Sequence, residues 1–238
     1  MKLAIMQPYF FPYIGYFQLI NYVDTFVFYD DVNYIKQGWI NRNNIVVKNN
    51  KFLFTIPLEN PSSFSKINEI NICDKLFYKW KRKFLLTIEQ SYKNAPYFKP
   101  VYELINKCLS FEGVKISEFS VMSVMLVCDY LNLDTKMIAT SSKYKNNQLR
   151  AQDRVIDICL AENATSYINP IGGKELYSKT TFDENGIELK ILHSKSKSYK
   201  QFGEEFMGSL SIIDVLMFNS IEETKVLLNE FDFYQGGN

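Results

Sequence analysis

The chain opens on a short apolar run, Leu3 to Met6, that stops at Gln7 and Pro8; a run of that length closed by a turn predicts a buried strand. From Pro12 onward Ile14, Phe17, Leu19 and Ile20 fall near helical spacing, and Pro12 suits a first helical turn. Thr25 to Tyr29 is a second run of β-formers. Strand, helix and strand within about thirty residues is how a parallel α/β sheet begins. Residues 45–47 and 52–56 flank Lys48, Asn49, Asn50 and Lys51, the pattern of a hairpin. A helical middle follows. Asp74 is placed to cap a helix with Phe77, Trp80, Phe84 and Ile88 on one face and Lys79, Arg82 and Lys83 on another, a solvated basic face. Further helices are expected from Tyr97 to Leu109 and from Ser117, with Ser120 a second candidate cap, to just before Asn132. Alternation then resumes, with strands at Lys136–Thr140, Ser166–Ile168 and Glu188–Leu192 and a helix over 148–162. Helices at Ser211–Asn219 and Ile221–Glu230 finish the chain. With no internal repeat or low-complexity linker, the pattern predicts one α/β domain over 1–238 with a helical insertion at 74–131.

Composition narrows what such a domain can do. Lys plus Arg number 27 against 26 Asp plus Glu, so no net basic field exists to attract a polyanion, and nucleic acid is not an expected partner. No stretch approaches the roughly 18 apolar residues of a membrane span, and Met1 to Met6 lacks the apolar core of a secretory signal. Cys73, Cys108, Cys128 and Cys159 are widely spaced, and three of them fall in apolar helical patterns. With His193 the only histidine, no zinc site is expected, and the reading is a reduced, cytoplasmic protein. The unusual quantity is aromatic content: 19 Phe, 16 Tyr and 2 Trp, many of them early in the chain.

The densest aromatic segment runs from Gln7 to Tyr16, between the first expected strand and helix. That junction lies at the carboxyl edge of a parallel sheet, where α/β folds bind phosphates. Gly15 would admit close approach, while Gln7, Tyr9, Tyr13 and Tyr16 would supply uncharged donors and stacking faces. Tyr13 to Tyr16 (YIGY) stands where the HIGH superfamily of nucleotidyltransferases and synthetases carries His-x-Gly-His, so the expected fold class is a Rossmann-like parallel sheet of that kind. Both histidines are replaced by tyrosine, which brings no positive charge to a polyphosphate. Asp30 and Asp31 follow the second strand, where they can bind a cation, take a proton from an amine or cap a turn. Beyond them come Trp39, Asn41, Arg42 and Asn43. Arg42 is one of only four arginines, and between two asparagines and near a tryptophan it suits bidentate recognition of phosphate or carboxylate, with a structural ion pair the alternative. Arg150 and Arg154, flanked by Asp153 and Asp157, read as a solvated ion-pair surface. Ser141 and Ser142 end another strand, and Gly172 and Gly173 open a short helix after one more. Lys195 to Ser198 is superficially similar to the mobile Lys-x-Ser-Lys-Ser loop of the same superfamily, although such polar tracts are most often plain loops. His193 just before it is the only side chain of a type that titrates near neutrality.

The segments Ile5–Tyr16 (IMQPYFFPYIGY), Phe28–Val32 (FYDDV) and Trp39–Asn43 (WINRN) together resemble the WbqC-like protein family. The resemblance continues through Tyr167–Gly173 (YINPIGG), Glu175–Tyr177 (ELY) and Leu210–Asn219 (LSIIDVLMFN), nearly the whole chain. Asn169 stands where many relatives are expected to carry serine. The resemblance implies a bacterial cytoplasmic protein associated with surface-polysaccharide or O-antigen biosynthesis, in which amino groups of nucleotide-linked sugars are decorated. The expected activity is attachment of an amino acid or other acyl group to such an amine. In that expectation Asp30, Asp31, Tyr16 and His193 are the catalytic candidates, and the nucleotide sugar meets Tyr9, Tyr13, Trp39 and Arg42. ATP with Mg²⁺ is admitted as a co-substrate and no resident metal is expected. Alternatives are a nucleotidyltransferase-like enzyme using a nucleoside triphosphate and a non-catalytic nucleotide-sugar-binding or scaffold protein. The sugar, the donor and the oligomeric state, a homodimer included, stay open.

Overall fold

A computed structural model describes residues 1–234. In chain order the elements are β1 (Lys2–Met6), α1 (Ile14–Tyr22), β2 (Thr25–Phe28), β3 (Arg42–Val47), β4 (Asn50–Thr55), α2 (Asp74–Tyr92), α3 (Phe98–Leu109), α4 (Ile116–Leu131), β5 (Lys136–Ile138), α5 (Ala151–Ala161), β6 (Ser166–Pro170), α6 (Lys179–Glu184), β7 (Glu188–Ser194), α7 (Ile212–Phe218), α8 (Ile221–Leu228) and β8 (Phe231–Phe233). Six strands form one sheet in the order β5-β2-β1-β6-β7-β8, while β3 and β4 pair as a separate antiparallel hairpin. All neighbours in the sheet are parallel except β7 and β8. The molecule is therefore an α/β protein with a mostly parallel sheet.

The strands read as near-continuous apolar runs because both faces are covered. Successive residues go to opposite sides: Ala4, Phe26, Phe28 and Ile168 to the larger core, Leu3, Ile5, Val27 and Tyr167 to the smaller. The chain leaves the sheet after β2 and returns at β5, making the β3–β4 hairpin and α2, α3 and α4 on the way. Phe10 anchors that excursion, its ring 5.4 Å from Phe119 of α4, 6.1 Å from Phe54 of β4 and 6.4 Å from Trp80 of α2. Asp74 begins α2 without a side-chain cap, and α4 ends where Asn132 turns left-handed at φ 50°. Two elements differ from the hydrophobic pattern. The last helix stops at Leu228, and Phe231–Phe233 pairs with the β7 edge, a three-residue strand that follows the helix after only two residues and so is not set off from it by the pattern. Residues Lys179–Glu184 also form a short helix, capped by Ser178. Among the described residues no helix is long and apolar enough to cross a membrane.

One buried amide holds the chain end against the sheet. Gln18 of α1, fully buried, donates through Nε2 to the carbonyls of Leu227 and Glu230, both at 2.9 Å, and of Lys195 at 3.3 Å. Removing a donor that serves several enclosed carbonyls leaves a desolvation penalty larger than the bond itself. Gln18→Leu is expected to lower stability by about 1–3 kcal/mol, read as a lower urea midpoint with an unchanged slope.

Candidate functional site

Between β1 and β6 the strand order reverses, so a crevice opens at the carboxyl ends of these strands. The turn from Gln7 to Tyr13 occupies its edge and leads into α1. Every polar backbone group of Phe11 is bound by a distant element. Its N–H donates to Ser123 Oγ of α4 at 3.0 Å, and its carbonyl accepts from Asn43 Nδ2 at 2.8 Å and Ser211 Oγ at 2.7 Å. Phe11 is buried and has φ 41°, a conformation that costs a non-glycine residue of order 1–3 kcal/mol and persists only where surroundings dictate it. The outcome for the aromatic cluster is mixed. Phe10 and Phe11 are core, and Tyr16 is buried with its hydroxyl donating to the Gln7 carbonyl at 2.9 Å. Burial pushes the Tyr16 phenol well above its ordinary pKa. Tyr9 is half-buried against the Tyr16 ring, and Tyr13 alone among the turn's aromatic residues is exposed, at 37%.

Gly15 fits because nothing larger would. A Cβ there would come within 2.3 Å of the Tyr13 ring and 2.6 Å of Ser194 Oγ at the end of β7. The first turn of α1 is thereby laid against the segment that leaves β7. Around this contact lies a cavity of about 240 Å³, lined by Tyr13, Ile14, His193, Lys195, Lys197 and Tyr199 with Ser194, Ser196 and Ser209. Among the described residues no carboxylate lines it. Lys195 pairs with Asp232 and Lys197 with Glu230 at 2.7 Å, all in exposed or half-exposed positions. Of the sequence-derived candidates the structure thus brings together Tyr13, Gly15 and His193, and joins to them the lysines of the 195–198 tract. The lysines were legible as a tract; their nearness to α1 required the parallel sheet order, which local pattern does not contain.

The other candidates gather elsewhere. Asp30 and Asp31 are buried beyond β2, beside the Thr140–Ser141 turn that follows β5. Asp30 accepts from Thr140 Oγ1 at 2.8 Å and the Ser141 N–H at 3.1 Å; Ser141 Oγ donates to Asp31. Burial raises the Asp30 pKa above the ordinary carboxylate value, and the Thr140 and Ser141 hydrogen bonds oppose that rise. Asp31 also pairs with Arg154 Nη2 at 2.6 Å, both side chains almost wholly buried. Arg154 is therefore no solvated surface residue: its guanidinium lies over Tyr29 at 4.9 Å and reaches Asn146 at 2.9 Å. The helical pattern placed Arg154 beside Asp157, while the fold turns it into the sheet edge. Ser142 is exposed and accepts from Asn68 Nδ2 at 3.1 Å.

Arg42 donates to the carbonyls of Gly38 and Gln37, and its guanidinium lies 5.6 Å from the Trp39 ring. Neither residue lines the α1 cavity. Asn41 and Asn43 are buried staples: Asn41 accepts from the Tyr34 hydroxyl and donates to Ile56, and Asn43 holds Phe11. Gly173 lies against Asn169, whose amide nitrogen is 2.4 Å from where a Cβ would stand, whereas Gly172 faces open space. Among the described residues no three His, Cys, Asp or Glu side chains converge to hold a metal.

The WbqC-like protein family matches residues 7–226, nearly the entire length over which these contacts are made. The chain belongs to that family. This WbqC-like protein is also similar to the uncharacterized protein Rv1507c of Mycobacterium tuberculosis, 28% identical over 221 residues that cover 92% of this chain and 93% of the relative. No solved structure matches it.

Two outcomes test the packing of this WbqC-like site. Arg154→Met leaves Asp31 buried without its cation and is expected to cost about 3–5 kcal/mol, measurable by urea unfolding. The second concerns Asp214 of α7, which holds Tyr199 of the cavity wall by a 2.7 Å hydrogen bond. Burial raises the Asp214 carboxyl above its ordinary range, while bonds from Tyr199, Tyr92 and Gln201 pull it down. A carboxyl raised in the folded state stabilises it below the unfolded pKa of about 3.9 and loses that contribution as pH rises through the folded value. Asp214→Asn removes this loss, so the stability of the variant relative to the parent should climb with pH from 4 upward in urea midpoints.

Proposed function

We propose that this WbqC-like protein is an enzyme of surface-polysaccharide biosynthesis that joins an acyl or aminoacyl group to the amine of a nucleotide-linked amino sugar. The sheet, with its order β5-β2-β1-β6-β7-β8 and its switch between β1 and β6, is on this reading of the Rossmann, HIGH-like kind. The observation that carries the proposal is the α1 cavity, whose lining includes one histidine, two lysines and three serines and, among the described residues, no carboxylate. Hydroxyl and cationic donors with no lining carboxylate among the described residues suit the diphosphate of a nucleotide sugar, for which Lys195 and Lys197 would exchange their partners Asp232 and Glu230 while the α1 N-terminus adds backbone N–H groups. Tyr13 offers the exposed face for a ring. His193 takes the proton that the sugar nitrogen sheds as it attacks the acyl carbon and the leaving group departs. Asp30 and Asp31, tied to Thr140, Ser141 and Arg154, support this edge of the sheet from the other side of the switch point.

The position of Lys195–Ser198 against the first turn of α1 favours one other reading, a nucleotidyltransferase-like enzyme that binds a nucleoside triphosphate with Mg²⁺. A non-catalytic sugar-nucleotide scaffold is the third outcome of the same test. The protein is incubated with a dTDP-linked 4-amino sugar, ATP and a panel of amino acids and acyl thioesters, and the sugar is weighed by mass spectrometry. A mass gain equal to the acyl group is expected; a folded protein that binds the sugar but never changes its mass overturns the transfer. Lys195→Ala with Lys197→Ala should raise the sugar-nucleotide Kd by about tenfold or more, and His193→Gln should lower kcat while leaving KM near its parent value.

A further inference from the structure

A second cavity, of about 370 Å³, lies between the β3–β4 hairpin, the last turns of α2 and the segment that joins β7 to α7. It is polar at both ends and aromatic between. At its enclosed end is Asp214, fully buried and not within ion-pair distance of any basic side chain among the described residues. Its carboxylate accepts three neutral hydrogen bonds, from Tyr92 Oη, Tyr199 Oη and Gln201 Nε2, each at 2.7 Å. A carboxylate offers about four acceptor positions, so one remains. The walls are Tyr92, Phe218 and Phe202, with the Phe202 and Phe218 rings 4.8 Å apart and nearly perpendicular. At the open end stand Lys48 and Lys83, both exposed and neither paired with a carboxylate among the described residues.

Negative charge inside, flat apolar walls and positive charge at the mouth describe the complement of one ligand class. We propose that this cavity binds a nucleoside phosphate whose base carries an exocyclic amine, an adenosine phosphate in particular. The amine would face the Asp214 end, the base would lie against Phe202 and Phe218, and the phosphates would meet Lys48 and Lys83. A free amino acid has its two charges on one carbon, whereas the cavity sets its acidic group on α7 and its basic groups on the hairpin turn and α2. An aliphatic chain answers neither. The acyl-transfer reading supplies only the reason for such a ligand, since amide formation needs an activated acyl group, and both ATP and coenzyme A thioesters carry adenosine phosphates. The binding itself rests on the cavity.

The experiment is calorimetric titration of the full chain, with no sugar nucleotide present, by AMP, IMP, inorganic phosphate, ATP and coenzyme A. AMP is expected to bind about tenfold more tightly than IMP, in which a carbonyl replaces the amine, and inorganic phosphate to bind far more weakly than either. Lys48→Ala with Lys83→Ala, on exposed positions that leave the core intact, should weaken AMP by about tenfold or more. Tighter binding of ATP than of coenzyme A would identify an adenylate donor and the reverse a thioester, both in support of the site. Absence of AMP binding by folded protein, equal affinity for AMP and phosphate, or an unchanged affinity in the lysine variant overturns the proposal. Because no sugar is present, these results are independent of whether the sugar is acylated.

Discussion

The backbone of Phe11 is the joint on which the molecule turns. Three elements far apart in sequence, α4 through Ser123, β3 through Asn43 and the cap of α7 through Ser211, meet on its one N–H and one carbonyl. A buried turn has no water to satisfy its polar groups, so those partners must be supplied by the fold or the turn must unfold. The same bonds force a phenylalanine into positive φ, and the Phe10 side chain beside it reaches into the hairpin and helical middle. The sheet, the hairpin with α2 to α4, and the C-terminal helices therefore cannot shift independently of the turn that opens α1. The position of Tyr13 and Gly15, and so the shape of the α1 cavity, follows from packing far away from it.

The aromatic excess resolves on the same principle. Most of the early rings are structural, and they are structural because the turn is buried. Tyr13 escapes because α1 begins there and its first turn faces the end of β7. Charge follows a similar division. The buried Asp31–Arg154 pair neutralises one sheet edge internally, Lys195 and Lys197 are paired at the surface with Asp232 and Glu230 beside the smaller cavity, and Lys48 and Lys83 stand at the larger one without a carboxylate partner among the described residues. A balanced total charge is thus compatible with a few placed cations, which a small anionic ligand can meet without a basic surface.

Periodicity made the sheet strands and the long helices legible, because strands buried on both faces are continuous apolar runs and α2 to α4 repeat their apolar residues over several turns. It gave no hold on β8, which begins two residues after α8 ends, or on the six-residue α6. For the site, the residue types were visible and the pairings were not. Arg154 and Asp31 are 123 positions apart, and only the parallel order of β2 and β5 brings the Thr140–Ser141 turn and the N-terminal part of α5 beside Asp31. Asn41 and Asn43 look like ligand donors in sequence because an asparagine that staples a turn and one that binds a ligand have the same side chain. His193 and Tyr13 share a cavity for a reason of topology alone: β7 and β1 run in the same direction with β6 between them.

The two cavities are separated by one layer of chain. Tyr199 lines the smaller cavity and Gln201 the larger, and both donate to Asp214. Phe206 and Met207 repeat the arrangement farther along, one on each side, with Met207 N–H bonded to Gln201 Oε1 at 2.9 Å. This partition belongs to a segment with no helix or strand of its own between Ser194 and Ile212, held at its middle by neutral donors on a single carboxylate. A group that took the remaining acceptor position of Asp214 from the larger cavity would sit on Oδ2, beside the Tyr92 bond, and would leave Tyr199 and Gln201 in place on Oδ1. One buried carboxylate thus holds the wall of the smaller cavity through Oδ1 while its open position lies on Oδ2, so the partition does not have to give up a hydrogen bond for the larger cavity to be filled.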